Sequence, residues 1–525
     1  LKAHREGKTK FYPDRWTKVY THWLENIRDW CISRQIWWGH QIPVWYCDPC
    51  LEKAGRPEGA GIIVSREAPV KCPQCGGTKL RQDGDVLDTW FSSWLWPFST
   101  LGWPEETDDL KHFYPTSDLV TAPEIIFFWV ARMIMAGLEF RGEVPFSRIC
   151  IHGTVRAQSG LKMSKSLGNA IDPLEVIDEI GADALRFSMI MLSAQDVYLS
   201  REKFEVGRNF ANKLWNAARF VMMNLEGFHK GTAHLHYDLG QLSLTNRWIL
   251  SRLEEVTGET ERYLGGFGLA QASSALYHFV WDDFCDWFIE LAKPTLTGES
   301  VEEKEATQAV LFYTLEKILK LLHPFVPFIT EEIWQEMKKT AVDQAKWPAS
   351  LMLADWPWEP KRRHEDRDAE QSIAWLQTMV GSVRDLRARL NIQPAKTLKV
   401  VLASRDEKVR KIFIAFENQI KKLARLEVLE IQPSFQKGKS YVTSAFPNFE
   451  VFLFIEGIVD FDKERARIEG KIRECVALIE SVEKRLSDTS FTANAPEAVV
   501  TREKEKLADA SKVLKAHEEL LALLK

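Results

Sequence analysis

Apolar residues fall into different rhythms along this chain, and each rhythm predicts a different kind of element. From about 196 to 340 they recur at three- and four-residue spacing almost without a break. GRNFANKLWNAARFVM and ALYHFVWDDFCDWFIELAK are the strongest examples, and the spacing predicts amphipathic helices. Between 397 and 458 the rhythm shortens to alternation in LKVVLAS, LEVLEI and FEVFLFI, which predicts strands of a small α/β module. Farther on, Ile468, Ile472, Cys475, Ile479, Val482 and Leu486 step by four and three, and Leu507, Ala510, Leu514, His517, Leu521 and Leu524 keep the complementary rhythm. Each set is one narrow heptad seam. The short SDTSFTANAPE between them predicts two helices folded back as an antiparallel coiled-coil hairpin rather than two helices lying on a globular core.

The region before 196 mixes these rhythms. Residues 1–45 are dense in tryptophan and end in DWCISRQIWWGHQIPVWY. TSDLVTAPEIIFFWVARMIMAGLEF has helical apolar spacing after Pro123, and RICIHGTVRAQSGLKM reads as a strand, a turn at Ser159-Gly160 and a second strand. Directly after this hairpin comes GLKMSKSLGN, a lysine- and serine-rich loop with glycines near its ends. It leads into AIDPLEVIDEIGADALRF, a helix with Asp172 as its cap, Pro173 at its first position and Glu175 completing a box-like pattern. A positive loop at the mouth of a helix predicts an anionic ligand.

Composition narrows the picture only a little. A chain of 525 residues should hold about three or four domains. Its 45% hydrophobic and 27% charged residues describe an ordinary water-soluble protein. The net charge of -5 means that any nucleic acid must be met by local basic patches. No membrane span is expected, because the longest apolar stretch, LVTAPEIIFFWVARMIMAG, is broken by Glu124 and Arg132. No signal peptide is expected, and a first residue of Leu followed by a polar basic run is expected to be an internal start. Proline and charge thicken at WPWEPKRRHEDRD, an expected linker.

Four of the eight cysteines stand in two pairs, Cys47 and Cys50 in WYCDPC and Cys72 and Cys75 in KCPQCGG. This is the spacing of a zinc ribbon, in which each tight turn points two thiolates at one ion and Gly76-Gly77 permits the bend. Four thiolates leave no open coordination position, so the zinc is expected to be structural. Four reduced thiols or two disulfides are the other readings, the latter disfavoured without secretion. Cys31, Cys150, Cys285 and Cys475 lie in apolar surroundings and are expected to be inert core residues.

KMSKSLGN is identified as the second signature of class I aminoacyl-tRNA synthetases, and its context resembles the valyl-tRNA synthetase family. The segments that carry the likeness are NIRDWCISRQIWWGHQIPVWYC, DVLDTWFSSWLWPFSTLGWP, IIFFWVARMIMAG, NFANKLWNAARF, HPFVPFITEEIW and the terminal helical hairpin. The resemblance runs over nearly the whole chain and implies a multidomain α/β plus α fold. Residues 1–45 would return from an inserted domain into the catalytic core, 46–80 form the zinc ribbon, and 81–195 form the second half of the Rossmann-like catalytic domain. A helical anticodon-binding domain over 196–360, a small α/β module over 361–458 and a coiled-coil tRNA-binding arm over 459–525 complete it.

The resemblance also implies chemistry: ATP, with Mg2+, activates valine to valyl-adenylate, and the valyl group passes to tRNA(Val). Lys165 would contact the phosphates in the transition state with Lys162 assisting, while Met163, Ser164, His152 and Gly153 would lie against the nucleotide. Trp90, Ile125 and Trp129 would wall a small apolar pocket for valine, and Glu124 would help to hold its ammonium group. Arg201, Lys203, Arg208, Lys213 and Arg219 are candidates for tRNA contacts, each with a plain solvated face as its alternative.

Two departures from the family stand out. Its first signature, HIGH, and its editing insert are both absent from these residues. An apolar pocket cannot strongly reject an isostere that adds a hydroxyl, and the valine enzyme's confusion with threonine is the type example of that limit. The expectation is a cytoplasmic enzyme, monomeric when intact, of which this chain is the C-terminal half, needing a missing N-terminal half in cis or in trans. An isoleucyl-type synthetase, against which the terminal coiled coil speaks, and a non-catalytic RNA-binding protein derived from a synthetase are the alternatives.

Overall fold

The computed structural model describes the chain except residues 54–58, 162, 164–167, 194–195, 226–227, 229–236, 341–346, 359–363, 394, 437–439, 459–460, 489–490, 492–496 and 524–525. Three strands make the parallel sheet of the amino-terminal region: Lys10–Tyr12 beside Phe146–Ile151, and Phe146–Ile151 beside Thr116–Thr121. Pairing of Phe11 and of Leu119 with Ile149 places these apolar side chains on one face, where all three are buried. Tyr20 of helix Arg15–Glu25 and Ile126, Val130, Met133 and Ile134 cover that face. The opposite face is more polar. There Arg148 forks onto Asp118 with bonds of 2.6 and 2.8 Å, and its guanidinium lies 5.1 Å from the centre of the Phe267 ring.

The helix expected after Pro123 has three parts: a 3-10 turn at Pro123–Ile125, a π-helical stretch at Ile126–Val130 and an α-helix at Ala131–Phe140. Five bulky apolar residues in a row, Ile125 to Trp129, cannot share one narrow α-helical stripe. The wider π turn divides them, with Ile126 under the sheet and Phe128 and Trp129 facing other aromatics. Ile125 and Trp129 are therefore not stacked along an α-helical face.

The expected hairpin also takes another form. Phe146–Ile151 stays in the main sheet, whereas Val155–Ala157 pairs in parallel with Val197–Leu199 in a second small sheet. The chain leaves the first sheet at Gly153-Thr154, where the Thr154 N–H donates to Asp196 at 2.9 Å instead of continuing the ladder. The turn at Ser159-Gly160 forms, with Gly160 at φ 83 and its N–H donating to the Ala157 carbonyl at 2.8 Å. Asp172 caps helix Pro173–Ile180 by accepting from the Leu174 N–H at 2.9 Å, but Glu175 turns to Arg201 rather than closing a capping box.

Helices Glu205–Asn224, Leu244–Gly265, Val301–Leu322, Pro327–Thr340 and Arg367–Arg389 enclose the largest core. Phe187 and Phe210 stack there at 4.4 Å, and Trp334 packs on Trp347 at 4.2 Å. ALYHFVWDDFCDWFIELAK, expected as one regular helix, becomes π-helical over Phe279–Phe288. Its buried residues form two adjacent pairs five positions apart, Phe279-Val280 and Phe284-Cys285, followed by Phe288, which suits the wider turn. The described ends of the expected linker are tied down: Trp356 Nε1 donates to Glu261 at 2.8 Å and His364 Nδ1 to Glu254 at 2.7 Å.

Helix Arg367–Arg389 packs against both Leu244–Gly265 and Glu417–Ala424, so one continuous core joins the helical region to the small module. That module is a four-stranded sheet ordered Leu426–Gln432, Leu398–Ala403, Glu450–Phe454, Tyr441–Ala445, its first pair parallel and the others antiparallel. Helices Phe461–Ser487 and Glu497–Leu523 then lie against each other, with Arg485 near the end of the first bonded to Glu503 near the start of the second. Ile468, Val482 and Ala510 are buried, while neighbouring positions such as Val476 and Val513 are exposed. Among the described residues no helix is long and apolar enough to cross a membrane.

Candidate active site

In open parallel sheets, ligands bind outside the carboxyl ends of the strands. Here those ends carry Glu124, just after Thr116–Thr121, and His152 and Gly153, just after Phe146–Ile151. The His152 N–H donates to the Thr121 carbonyl at 3.1 Å, joining the two strand ends. Its Nδ1 donates to the Gly153 carbonyl at 2.9 Å, which directs Nε2 away from the backbone.

Glu124 is exposed and accepts from Thr154 Oγ1 at 3.3 Å, and Asp196 accepts from the Thr154 N–H and from Arg156 Nε at 2.9 and 3.0 Å. The Thr154 N–H, then Arg156, hold the Asp196 carboxyl below the usual carboxylate range. Sequence reasoning missed Thr154, Arg156 and Asp196, because no local pattern marks a carboxylate that acts forty-two residues away. Met163 is half-buried against the cluster of Val176, Val197, Leu199 and Phe204, which anchors one residue of the lysine loop. Lys162, Ser164 and Lys165 lie outside the described residues.

The short helix Thr89–Ser93 gathers the aromatic candidates. Trp90 stacks on Phe128 at 5.7 Å, and Trp129 Nε1 donates to the Ser93 carbonyl at 3.2 Å while its ring packs on Trp96 at 5.6 Å. Trp90, Ile125 and Trp129 are all half-buried, so their faces are neither sealed in a core nor free in solvent. Asp88 caps this helix by accepting from the Trp90 N–H at 2.8 Å and is itself ion-paired to Arg34.

Of the five basic candidates on the helical side, four have partners among the described residues. Arg201 bridges Glu175 and Glu179 at 3.0 and 3.1 Å, Lys203 donates to the Tyr198 carbonyl, Arg208 lies 3.8 Å from Glu205, and Lys213 pairs with Asp286. Arg219 is exposed on helix Glu205–Asn224, one turn from the partly exposed Trp215 and one turn from the exposed Met223.

The two cysteine pairs converge. All four Sγ atoms lie within 4.8 Å of one another, with Cys47 to Cys75 at 3.6 Å and Cys50 to Cys72 at 3.9 Å. These separations are too long for disulfide bonds, and a tetrahedron of 2.3 Å metal–sulfur bonds sets sulfurs about 3.8 Å apart. The four thiols therefore fit one metal ion. Backbone supports each turn, the Cys50 N–H donating to the Cys47 carbonyl at 3.0 Å and the Gly76 N–H to the Cys72 carbonyl at 2.9 Å, with Gly76 at φ 73. The Cys75 N–H pointing at the Cys72 sulfur pulls that thiol down to about 7.

Of the other cysteines, Cys285 is buried, its thiol pushed up to about 12 by desolvation. Cys31 is exposed, contrary to expectation, between the half-buried Trp30 and Ile32. A hydrogen bond from Ser33 holds its thiol below the ordinary value.

The chain is similar to tRNA synthetases of class I along most of its length. Residues 1–200 match the model for class I tRNA synthetases of the I, L, M and V types, 246–402 the anticodon-binding domain of tRNA ligases, and 460–525 the valyl-tRNA synthetase tRNA-binding arm. Among individual relatives, valine–tRNA ligase of Syntrophotalea carbinolica is 45% identical over all of this chain and 56% of its own length. Valine–tRNA ligase of Carboxydothermus hydrogenoformans is 45% identical over 97% of this chain and 55% of its own. The chain thus spans about half the length of the curated relatives it matches. A solved methionyl-tRNA synthetase of Mycobacterium tuberculosis, in complex with methionyl-adenylate, is 20% identical with a TM-score of 0.49 over 66% of this chain and 63% of that one.

Proposed function

We propose that this chain forms part of a valine–tRNA ligase, contributing the lysine-loop side of the ATP site, much of the valine pocket and the tRNA-binding regions. The observation that carries the reading is 45% identity to valine–tRNA ligases over the whole chain, arm included. In the reaction a valine carboxylate oxygen attacks the α-phosphorus of ATP, the bond to the bridging oxygen breaks, and pyrophosphate leaves with its Mg2+. A terminal ribose hydroxyl of tRNA(Val) then attacks the valyl carbonyl carbon, and AMP leaves.

The residues would divide the work as follows. Lys165, with Lys162, neutralises charge that grows on the phosphate oxygens, Ser164 and Met163 line the nucleotide's side of the loop, and His152 and Gly153 meet the adenosine. Trp90, Ile125 and Trp129 take the valine side chain, and Glu124, placed by Thr154, faces its ammonium group. Cys47, Cys50, Cys72 and Cys75 hold one structural Zn2+, for which the sulfur separations are the support. Helices Phe461–Ser487 and Glu497–Leu523 form an antiparallel coiled-coil arm that reads tRNA by shape, and Arg219 is the basic candidate most open to RNA.

In-line displacement needs nucleophile, phosphorus and leaving group held from both sides. The purified 525-residue chain alone should therefore make no measurable valyl-adenylate and should regain activity when joined, or mixed, with the remaining part of a full-length ligase. Robust valine-dependent pyrophosphate exchange by the isolated chain would overturn this division of the site. Persistent inactivity of the full-length product with valine, but activity with isoleucine, would favour the isoleucyl alternative. Elemental analysis should find zinc near one ion per chain, and Cys72→Ser should lose it.

A further inference from the structure

Beneath the aromatic candidates lies a buried charge cluster that the reaction scheme does not use. Asp88 is only 5% exposed and Arg132 only 9%. Arg34 pairs with Asp88 from strand Ser33–Arg34, and Arg132, on helix Ala131–Phe140, is near enough to feel the charge of both. Burial draws the Arg132 guanidinium below its ordinary range, Asp88 opposes that and Arg34 adds to it. The guanidinium lies 3.4 Å from the centre of the Trp30 ring and 5.8 Å from that of Phe128, and its Nη1 has no hydrogen-bond partner among the described residues.

Burying a carboxylate and a guanidinium costs free energy that pairing and hydrogen bonds must offset. Part of that bonding ties Asp88 to helix Thr89–Ser93. Asp88 fixes its start at the Trp90 N–H, and Ser93 at its end accepts from Trp129 Nε1. The same helix thus sets the positions of both tryptophans, while Arg132 touches Phe128, the ring on which Trp90 stacks. A charge-assisted cap is shorter and stiffer than a neutral one, and an apolar pocket that sorts side chains by one methylene needs walls that do not give.

We propose that Asp88, held by its ion pair with Arg34, is a positioning residue for amino-acid selection that fixes the separation of the Trp90 and Trp129 rings. The proposal rests on the reading of those tryptophans as walls of the valine pocket. In the full-length ligase, Asp88→Ala should raise KM for valine about tenfold in pyrophosphate exchange, with kcat at saturating valine within about threefold, and should narrow the preference for valine over isoleucine. Asp88→Asn, which keeps a capping oxygen but not the charge, should fall between wild type and alanine.

Arg132→Lys provides a second reading should Asp88→Ala not fold, and the same shift in KM and preference is expected from it. Trp90→Ala separates the two levels of the argument. If it raises the valine KM while Asp88→Ala and Arg132→Lys leave both KM and preference unchanged, the positioning role is wrong and the pocket stands. If Trp90→Ala also changes neither, the pocket itself has been misread. A loss of kcat at unchanged KM and preference in the Asp88 and Arg132 variants would mark the cluster as structural only and overturn the proposal.

Discussion

The parallel-sheet region and the helical region solve the burial problem in opposite ways. The helical region buries large side chains such as Phe210, Phe284, Phe312 and Trp334 in one continuous core that runs on into the small module. The sheet region has a small core under one face, and leaves Trp37 and Trp38 97% and 87% exposed, with Val120 and Phe128 exposed beside the strand ends. The lesson is that stability and chemistry are spatially separated. Around the ends of the parallel strands aromatic side chains pack on one another while staying partly open, whereas the helical region closes its large aromatics into one core.

Substitutions on the two sides should therefore read out differently. The largest effect expected is on stability: Phe210→Ala should cost about 3–5 kcal/mol by opening a cavity in the helical core, whereas Trp38→Ala should stay within about 0.5 kcal/mol. Chemical denaturation followed by tryptophan fluorescence measures both, and equal costs would erase the contrast. Close behind comes Lys165→Ala, which should slow adenylate formation in the full-length ligase about 10²- to 10³-fold, or roughly 3–4 kcal/mol, with valine affinity little changed. Near-normal pyrophosphate exchange would make the loop an ordinary surface.

Removing the two terminal helices from residue 461 onward should raise KM for tRNA about tenfold, the equivalent of roughly 1.4 kcal/mol, and leave valine activation intact. Damage to both steps alike would put the arm in the catalytic region's service instead. The smallest effect concerns Asp196. Its carboxyl is held below the usual range by the Thr154 N–H and then by Arg156, so its folded-state pKa lies under the unfolded one. The link it makes is present above the unfolded carboxylate pKa and is lost as pH falls through the folded value. Amide exchange at Thr154, corrected for its intrinsic pH dependence, should accelerate over that acidic window and should lose this step in Asp196→Asn.

Local signals carried much of this molecule. The heptad rhythm of Ile468 to Leu486 places alternate turns of apolar residues on one stripe, and Ile468 and Val482 are indeed buried. The paired spacing of Cys47, Cys50, Cys72 and Cys75 needs only two tight turns brought together, and both turns are written in adjacent residues. The Asp172-Pro173 start of helix Pro173–Ile180 is likewise a matter of neighbours. Less was legible where one residue's place depends on a distant one, as when Glu175 leaves its own helix to meet Arg201.

Most of the kinds of element and the thiol quartet could be read from the residues alone, because periodicity, turn chemistry and motif spacing are short-range properties. Long-range packing settled that a run of five bulky apolar residues opens into a π turn, that strand Val155–Ala157 leaves its neighbour for Val197–Leu199, and that Asp88 pairs with Arg34. Each of those outcomes depends on which distant surfaces meet. A chain can state its own periodicity within a few residues, but the partner for a buried charge or a strand edge is fixed only when the packed layers close around it.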